Sequence, residues 1–282
     1  MATTVALMGA GGKMGCRITD QLRDADRYEL RCVEPSKAGR ERLAERGLSA
    51  RPEHEAVSGA DIVLLAVPDE LIGSITADVV PELDAGTMVV LLDPAAAHAD
   101  VLYDREDVTY FVAHPCHPSF FTADTGMADD DTDWFGGQGR DEQNIVCALH
   151  RGPESDYERG EAIARDIYAP VGDAHRVTTE QMAMLEPALV ESLLGSCLYA
   201  IRDGYRRVVE AGVPEEAARD FLFGHFRIEF GIVFGLTDFP FSDGAQAAIE
   251  QAREDIFTDD WEDEIFARDN VAQSAEEIVA DD

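Results

Sequence analysis

Thr4-Val-Ala-Leu-Met8 runs without a break into Gly9-Ala-Gly-Gly12-Lys-Met-Gly15, and this junction decides the fold. Five short apolar residues read as a buried strand. The glycines read as a tight turn, and Lys13 onward reads as a helix to about residue 25. The pattern then repeats. Tyr28 to Val33 is a strand and Ala38 to Arg46 a helix. Asp61-Ile-Val-Leu-Leu-Ala-Val67 is a near-continuous apolar run stopped by Pro68, Gly86-Thr-Met-Val-Val-Leu-Leu92 is followed by Pro94, and Val108 to Ala113 stops at Pro115. Runs of this kind belong to strands buried on both faces, and their alternation with helical stretches predicts a parallel sheet covered on both sides.

Ser119 to Glu142 is rich in Gly, Asp and Thr, and reads either as a functional loop or as a disordered one. Asn144 to His150 resumes a strand, Asp156 to Tyr168 is helical, and Ala174 to Val177 is a last short strand. After Thr178 the chain reads as helices: Thr179 to Ala211 with Pro187 inside, Pro214 to about Gly235, and Gly244 to Phe257. The expected fold class is therefore α/β. A doubly wound Rossmann domain spans residues 1–177, and a smaller all-helical domain spans residues 178–282.

Asp plus Glu total 57 against 23 Lys plus Arg, a net charge of −34. Such a field repels nucleic acid and anionic membranes, so neither is an expected partner. At molar salt the Debye length shrinks to about 3 Å, and dense carboxylates then keep a surface hydrated; the composition points to a halophilic protein. Lys13 and Lys37 are the two lysines in the chain. The five cysteines are scattered without a CxxC pair, which argues against a disulfide framework. The chain lacks a run of about 18 apolar residues and opens without a signal-peptide pattern, so the expected location is the cytoplasm.

The glycine loop carries the first functional reading. Gly9-xx-Gly12-xx-Gly15 lets the backbone approach a pyrophosphate, and the helix start offers free N–H groups and a positive dipole. Gly9, Gly12, Lys13 and Met14 are the expected dinucleotide contacts. Glu34 lies 19 residues after Gly15, where a carboxylate takes the ribose 2′-hydroxyl, so NAD is expected ahead of NADP. Lys37 and Arg40 lie close enough to receive a 2′-phosphate instead.

Ala60-Asp-Ile-Val-Leu-Leu-Ala-Val-Pro68 resembles the fourth strand of the β-hydroxyacid dehydrogenase and ketol-acid reductoisomerase superfamily. The glycine loop together with His114-Pro-Cys-His-Pro118 is similar to a narrower group with a phosphogluconate-dehydrogenase-like C-terminal domain, the D-apionate oxidoisomerase-like family. The resemblance covers nearly the whole chain. It implies an NAD-dependent oxidoreductase acting on a CH–OH group of a branched polyhydroxy acid, a sugar acid, possible isomerisation included. Two other readings stay open: a simple β-hydroxyacid dehydrogenase or reductase, and a non-catalytic NAD sensor.

The superfamily's general acid or base is a lysine on the first interdomain helix. This chain has none after residue 37. The resemblance sets that helix, with Glu180, Glu186 and Glu191, opposite the His114–His117 segment. Glu186 precedes Pro187, so a distorted turn is expected there. The expected assignment is a divalent metal, zinc or magnesium, on His117 and Glu186, with His114 and Glu191 as catalytic groups. Cys116 is a further ligand candidate. His225 and Glu229, at i and i+4, are candidates for lining the site or an interface. The aromatic stretch Phe221, Phe223, Phe226, Phe230 and Phe234 predicts a homodimer through the helical domain.

Overall fold

The computed structural model describes residues 2–119, 134–136 and 141–280. Most of the expected loop between 119 and 142, and the acidic pair Asp281-Asp282, lie outside the described residues. Seven strands form one sheet: β1 (Thr3–Met8), β2 (Tyr28–Val33), β3 (Ile62–Leu65), β4 (Met88–Leu91), β5 (Thr109–Pro115), β6 (Gln143–Arg151) and β7 (Val171–Arg176). Their order is β2-β1-β3-β4-β5-β6-β7. The crossover direction changes between β1 and β3, and ligands bind at the carboxyl edge of such a switch point.

The strand sequences explain the two layers of helices. Ala6, Met8, Val63, Leu65, Val89, Leu91 and Val112 enter one core. The alternate residues Val5, Leu7, Ile62, Leu64, Met88, Val90 and Phe111 enter the other. This is the period-two alternation of a pleated strand with both faces covered. The helices α3 (Glu53–Val57), α4 (Ile72–Val79) and α5 (Ala95–His98) fill the first face through Ala56, Val57, Ile72, Val79, Ala96 and Ala97. The helices α1 (Lys13–Leu22), α2 (Lys37–Glu45) and α6 (Tyr157–Ile167) fill the second through Ile18, Leu22, Leu43, Ile163, Ala164 and Ile167.

The sheet departs from the expected parallel one at a single pairing, because β6 runs antiparallel to β5, pairing His114 with Val146, and β7 follows the direction of β6. The crossover helix α6 then restores parallel pairing of β6 with β7. A parallel neighbour needs a crossover element, and an antiparallel one does not.

The chain divides into two compact units, Met1–Pro187 with Val271–Asp282, and Ala188–Asn270. The division lies beyond the expected 177/178 boundary for a packing reason. Helix α7 (Thr179–Ala183) buries Met182 in the sheet's first core, and α12 (Arg268–Val279) returns to the first unit with Val271 and Ala275 buried. The second unit contains α8 (Ser196–Glu210), α9 (Glu215–Val233), α10 (Asp243–Ile256) and α11 (Trp261–Phe266). Helices α11 and α12 add to the three helical stretches expected after residue 178.

From Thr179 to Glu210 the helical stretch is 32 residues long, and its most apolar 18-residue window has a mean hydropathy of 1.3. By length and composition it is apolar enough to cross a membrane, which the search for an unbroken apolar run did not register.

Candidate active site

The glycine loop starts where β1 ends. Gly9 has φ +70°, and a Cβ there would come within 2.3 Å of the Ala66 carbonyl oxygen at the end of β3, so no other residue fits. Gly12 is the N-cap of α1, with no side-chain cap and no acid in the first turn. The helix start therefore keeps its positive end and unsatisfied N–H groups for an anion.

Glu34 is buried just past β2. One carboxylate oxygen accepts from Gly11 N–H at 2.9 Å and the other from Ser36 N–H at 2.9 Å. Burial opposes its charge, but the bonds from Ser36 and Gly11 and the nearby Arg42 guanidinium outweigh it and hold the carboxyl below its usual range. Gly39 was not singled out from the sequence. A Cβ there would strike the Glu34 carboxyl at 2.2 Å, so this glycine makes room for the acid. Of the two competing cations, Lys37 is exposed and pairs with Glu41 at 3.7 Å. Arg40 donates to the backbone carbonyls of Glu34 and Pro35.

The second cluster lies at the carboxyl edge of β4 and β5. The His114 Nδ1 lies 2.8 Å from the Leu92 carbonyl oxygen. A carbonyl only accepts, so Nδ1 carries a proton, and in the neutral ring Nε2 presents its lone pair. Nε2 lies 3.4 Å from a Glu186 oxygen, and Asp93 Oδ2 lies 3.9 Å from Nδ1. One potential ligand atom from each of Asp93, His114 and Glu186 falls within 4.8 Å of the others, and all three side chains are half-buried. Burial pushes the Asp93 carboxyl up, against the opposing effects of its bond from Ala95 N–H and of His114. Asp93 is the site residue that sequence reasoning missed. Its signal was present, an acid directly after the apolar run Met88–Leu92.

Glu186 owes its position to a widened helix. Over Met184–Gly195 the backbone adopts π spacing with Pro187 inside. Proline supplies no N–H for an α-helical bond, and π segments of this kind gather at functional sites. Glu191, five residues on, belongs to the second unit and is exposed.

His117 sits beside the cluster rather than in it. Its ring centroid is 6.1 Å from that of His114, and its Nδ1 is 2.9 Å from the Phe135 carbonyl oxygen. Its φ of +59° is a left-handed conformation rare for a residue with a side chain. Burial pulls its imidazole below the ordinary histidine value. Cys116 is exposed and outside the ligand cluster. In the second unit, His225 bonds through Nδ1 to the Phe221 carbonyl oxygen at 2.8 Å and stacks on the Phe221 ring; Glu229 is exposed.

Comparison with known proteins places this geometry in a family. The model of the phosphogluconate dehydrogenase (decarboxylating) C-terminal domain matches residues 124–279, more than half of the chain. That of the coenzyme F420-dependent NADP oxidoreductases matches residues 4–96. A D-apionate oxidoisomerase of Rhizobium rhizogenes is 47% identical over 98% of this chain and 100% of its own length. The chain belongs to the D-apionate oxidoisomerase family. It is accordingly an enzyme of the oxidoreductase class, which sets aside the reading as a non-catalytic sensor. A semialdehyde dehydrogenase NAD-binding protein from Cupriavidus necator, solved in complex with calcium and NAD, has 43% identity and a TM-score of 0.92, covering 99% of this chain and 100% of that one. A ketol-acid reductoisomerase from an uncultured archaeon shares the fold at 19% identity and a TM-score of 0.70, covering 98% of this chain and 85% of its own.

Proposed function

We propose that this protein is an NAD-dependent D-apionate oxidoisomerase, oxidising a carbinol of a branched sugar acid and rearranging the resulting keto acid. The observation that carries the reading is the Asp93–His114–Glu186 cluster at the same carboxyl edge of the sheet as the glycine loop. Substrate oxidation breaks a C–H bond, whose hydride goes to NAD, and an O–H bond, whose proton needs a base. The loop from Gly9 to Met14 would bind the pyrophosphate, and Glu34 the adenine ribose. NAD is favoured over NADP because a buried, ionised Glu34 opposes a 2′-phosphate, while Arg40 is committed to backbone carbonyls.

The donor set fits a divalent ion. The Leu92 carbonyl fixes the His114 proton on Nδ1, as backbone carbonyls behind metal-bound imidazoles do, and leaves Nε2 facing a carboxylate. Two lone-pair donors facing each other at 3.4 Å need a positive charge between them, a proton or a metal. Asp93, His114 and Glu186 would hold the ion, zinc or magnesium, which supplies Lewis acidity at the substrate oxygen in place of the absent lysine. This exchanges the roles first expected for the two histidines. His117, with Nδ1–H bonded to Phe135, keeps Nε2 as an acceptor for the hydroxyl proton. Glu191 remains a second candidate for proton transfer.

The second unit would form a homodimer, which also accounts for its apolar helix without a membrane. We place the enzyme in a salt-rich cytoplasm, with neither nucleic acid nor membrane as a partner.

The test is turnover of D-apionate with NAD in molar salt, followed by NADH formation and product analysis. An isomerised keto acid is expected, and chelation should stop turnover while NAD still binds. An unrearranged keto acid would favour the simple dehydrogenase. Full activity in metal-free enzyme would leave the cluster as acid–base groups alone.

A further inference from the structure

Lys13 is the first residue of α1, where a cation faces the positive end of the helix dipole. Lys13 is exposed, yet its ammonium rests on an aromatic face. It lies 3.8 Å from the centroid of the Phe135 ring, and the Arg17 guanidinium lies 5.6 Å from the same centroid. The ring is held there independently of Lys13. The Phe135 carbonyl accepts from His117, whose own ring meets that of Phe135 edge-on at 5.8 Å. Gly136 turns the chain at φ +72°, where a Cβ would come within 2.6 Å of the Gln143 amide. That amide is buried and donates to the Tyr168 carbonyl at 2.8 Å.

We infer that the Phe135 ring competes with the dinucleotide pyrophosphate for the Lys13 ammonium. The inference rests on the proposal that NAD binds this loop. In this structure the π face holds the ammonium. When the pyrophosphate arrives at the α1 N-terminus, the ammonium must leave the ring to reach it, because one short contact excludes the other. An interaction made only in the free state weakens binding by its own worth. Phe135 is therefore a positioning residue that lowers NAD affinity.

The sign is unusual and makes the test decisive. NAD affinity is measured on the full-length protein in molar salt by calorimetry. It is measured again by NADH quenching of Trp134 in a Trp261→Phe background, since these are the two tryptophans of the chain. Phe135→Leu keeps bulk but removes the π face. It should bind NAD about two- to fivefold more tightly, the worth of an exposed cation–π contact. Lys13→Met should weaken NAD, and adding Phe135→Leu to it should change nothing further. Weaker binding by Phe135→Leu would make the ring a wall of the dinucleotide site and overturn the competition. Unchanged affinity would overturn it as well, as would the same gain in the Lys13→Met background. No NAD binding by the unaltered protein would remove the underlying reading, and the competition with it.

Discussion

The two units of this chain solve the burial problem differently. In the first, Val5, Ala6, Leu7, Val63, Leu64 and Val90 are wholly removed from solvent, and the sheet carries a helix layer on each face. In the second, large apolar side chains face outward. Phe239 is 75% exposed, Phe221 69% and Phe234 64%, while Ala188 and Ala218 are the buried apolar residues of that stretch among those described. Exposed apolar side chains in such number are what the proposed dimer would cover. The first unit buries its apolar faces itself; the second leaves many of its own exposed. Chemistry that needs fixed distances therefore belongs to the first unit, where rigid strands end at Asp93 and His114.

The sharpest way to break this contrast is His114→Ala. If the first unit is a self-sufficient scaffold, losing one half-buried imidazole at its edge should leave thermal unfolding and NAD binding unchanged. Turnover should fall by about 10²–10⁴-fold, as expected for a lost acid–base or ligand group. A matching loss of stability would make His114 a packing residue.

The second unit should respond in the opposite way. Phe234→Asp places a charge on its exposed apolar surface. Removal of a central aromatic anchor costs a dimer about 2–4 kcal/mol. Light scattering in high salt should show the unaltered protein as a dimer and the variant shifted toward the 30.8 kDa chain mass. A dimer that survives would move the interface to other helices of the unit, and an unaltered protein at the chain mass would remove the dimer altogether.

The same contrast explains what could be read in advance. Strands β1, β3, β4 and β5 were legible because burial on both faces leaves unbroken apolar runs, each closed by Gly9 or by Pro68, Pro94 or Pro115. The direction of β6 was not, since an apolar run carries no sign of its polarity. Helices α3 and α5, of 5 and 4 residues, are too short to show a helical period. The unit boundary was missed because Met182 looks the same in sequence whether it packs on the sheet or on helices. At the site, Pro187 announced a distortion but not its width. Asp93 escaped notice because its meaning depends on His114, 21 positions away, and on Glu186, farther still. Phe135 escaped for the same reason, being joined to Lys13 and His117 by tertiary structure alone.

The smallest effect concerns Glu34, and it sharpens the picture of the first unit. Its carboxylate ties Gly11 to Ser36, and under the proposed reading it also takes the adenine ribose. Glu34→Ala removes both, so NAD should weaken by about 10–100-fold, the range of a lost charge-assisted hydrogen bond, while NADP weakens less. The opposite ranking would mean that Lys37 and Arg40 set the preference. The structural share can be separated by pH. A carboxyl held below its ordinary range in the folded state lends stability above its unfolded value and loses it as pH falls through the folded one. The unaltered protein and Glu34→Gln should therefore differ in unfolding temperature by a constant amount from neutrality down to the ordinary carboxylate range. The gap should then close as the pH drops further. A gap that stayed constant into strong acid would show that folding leaves the carboxyl's proton affinity unshifted, and that the bonds to Gly11 and Ser36 work without the charge.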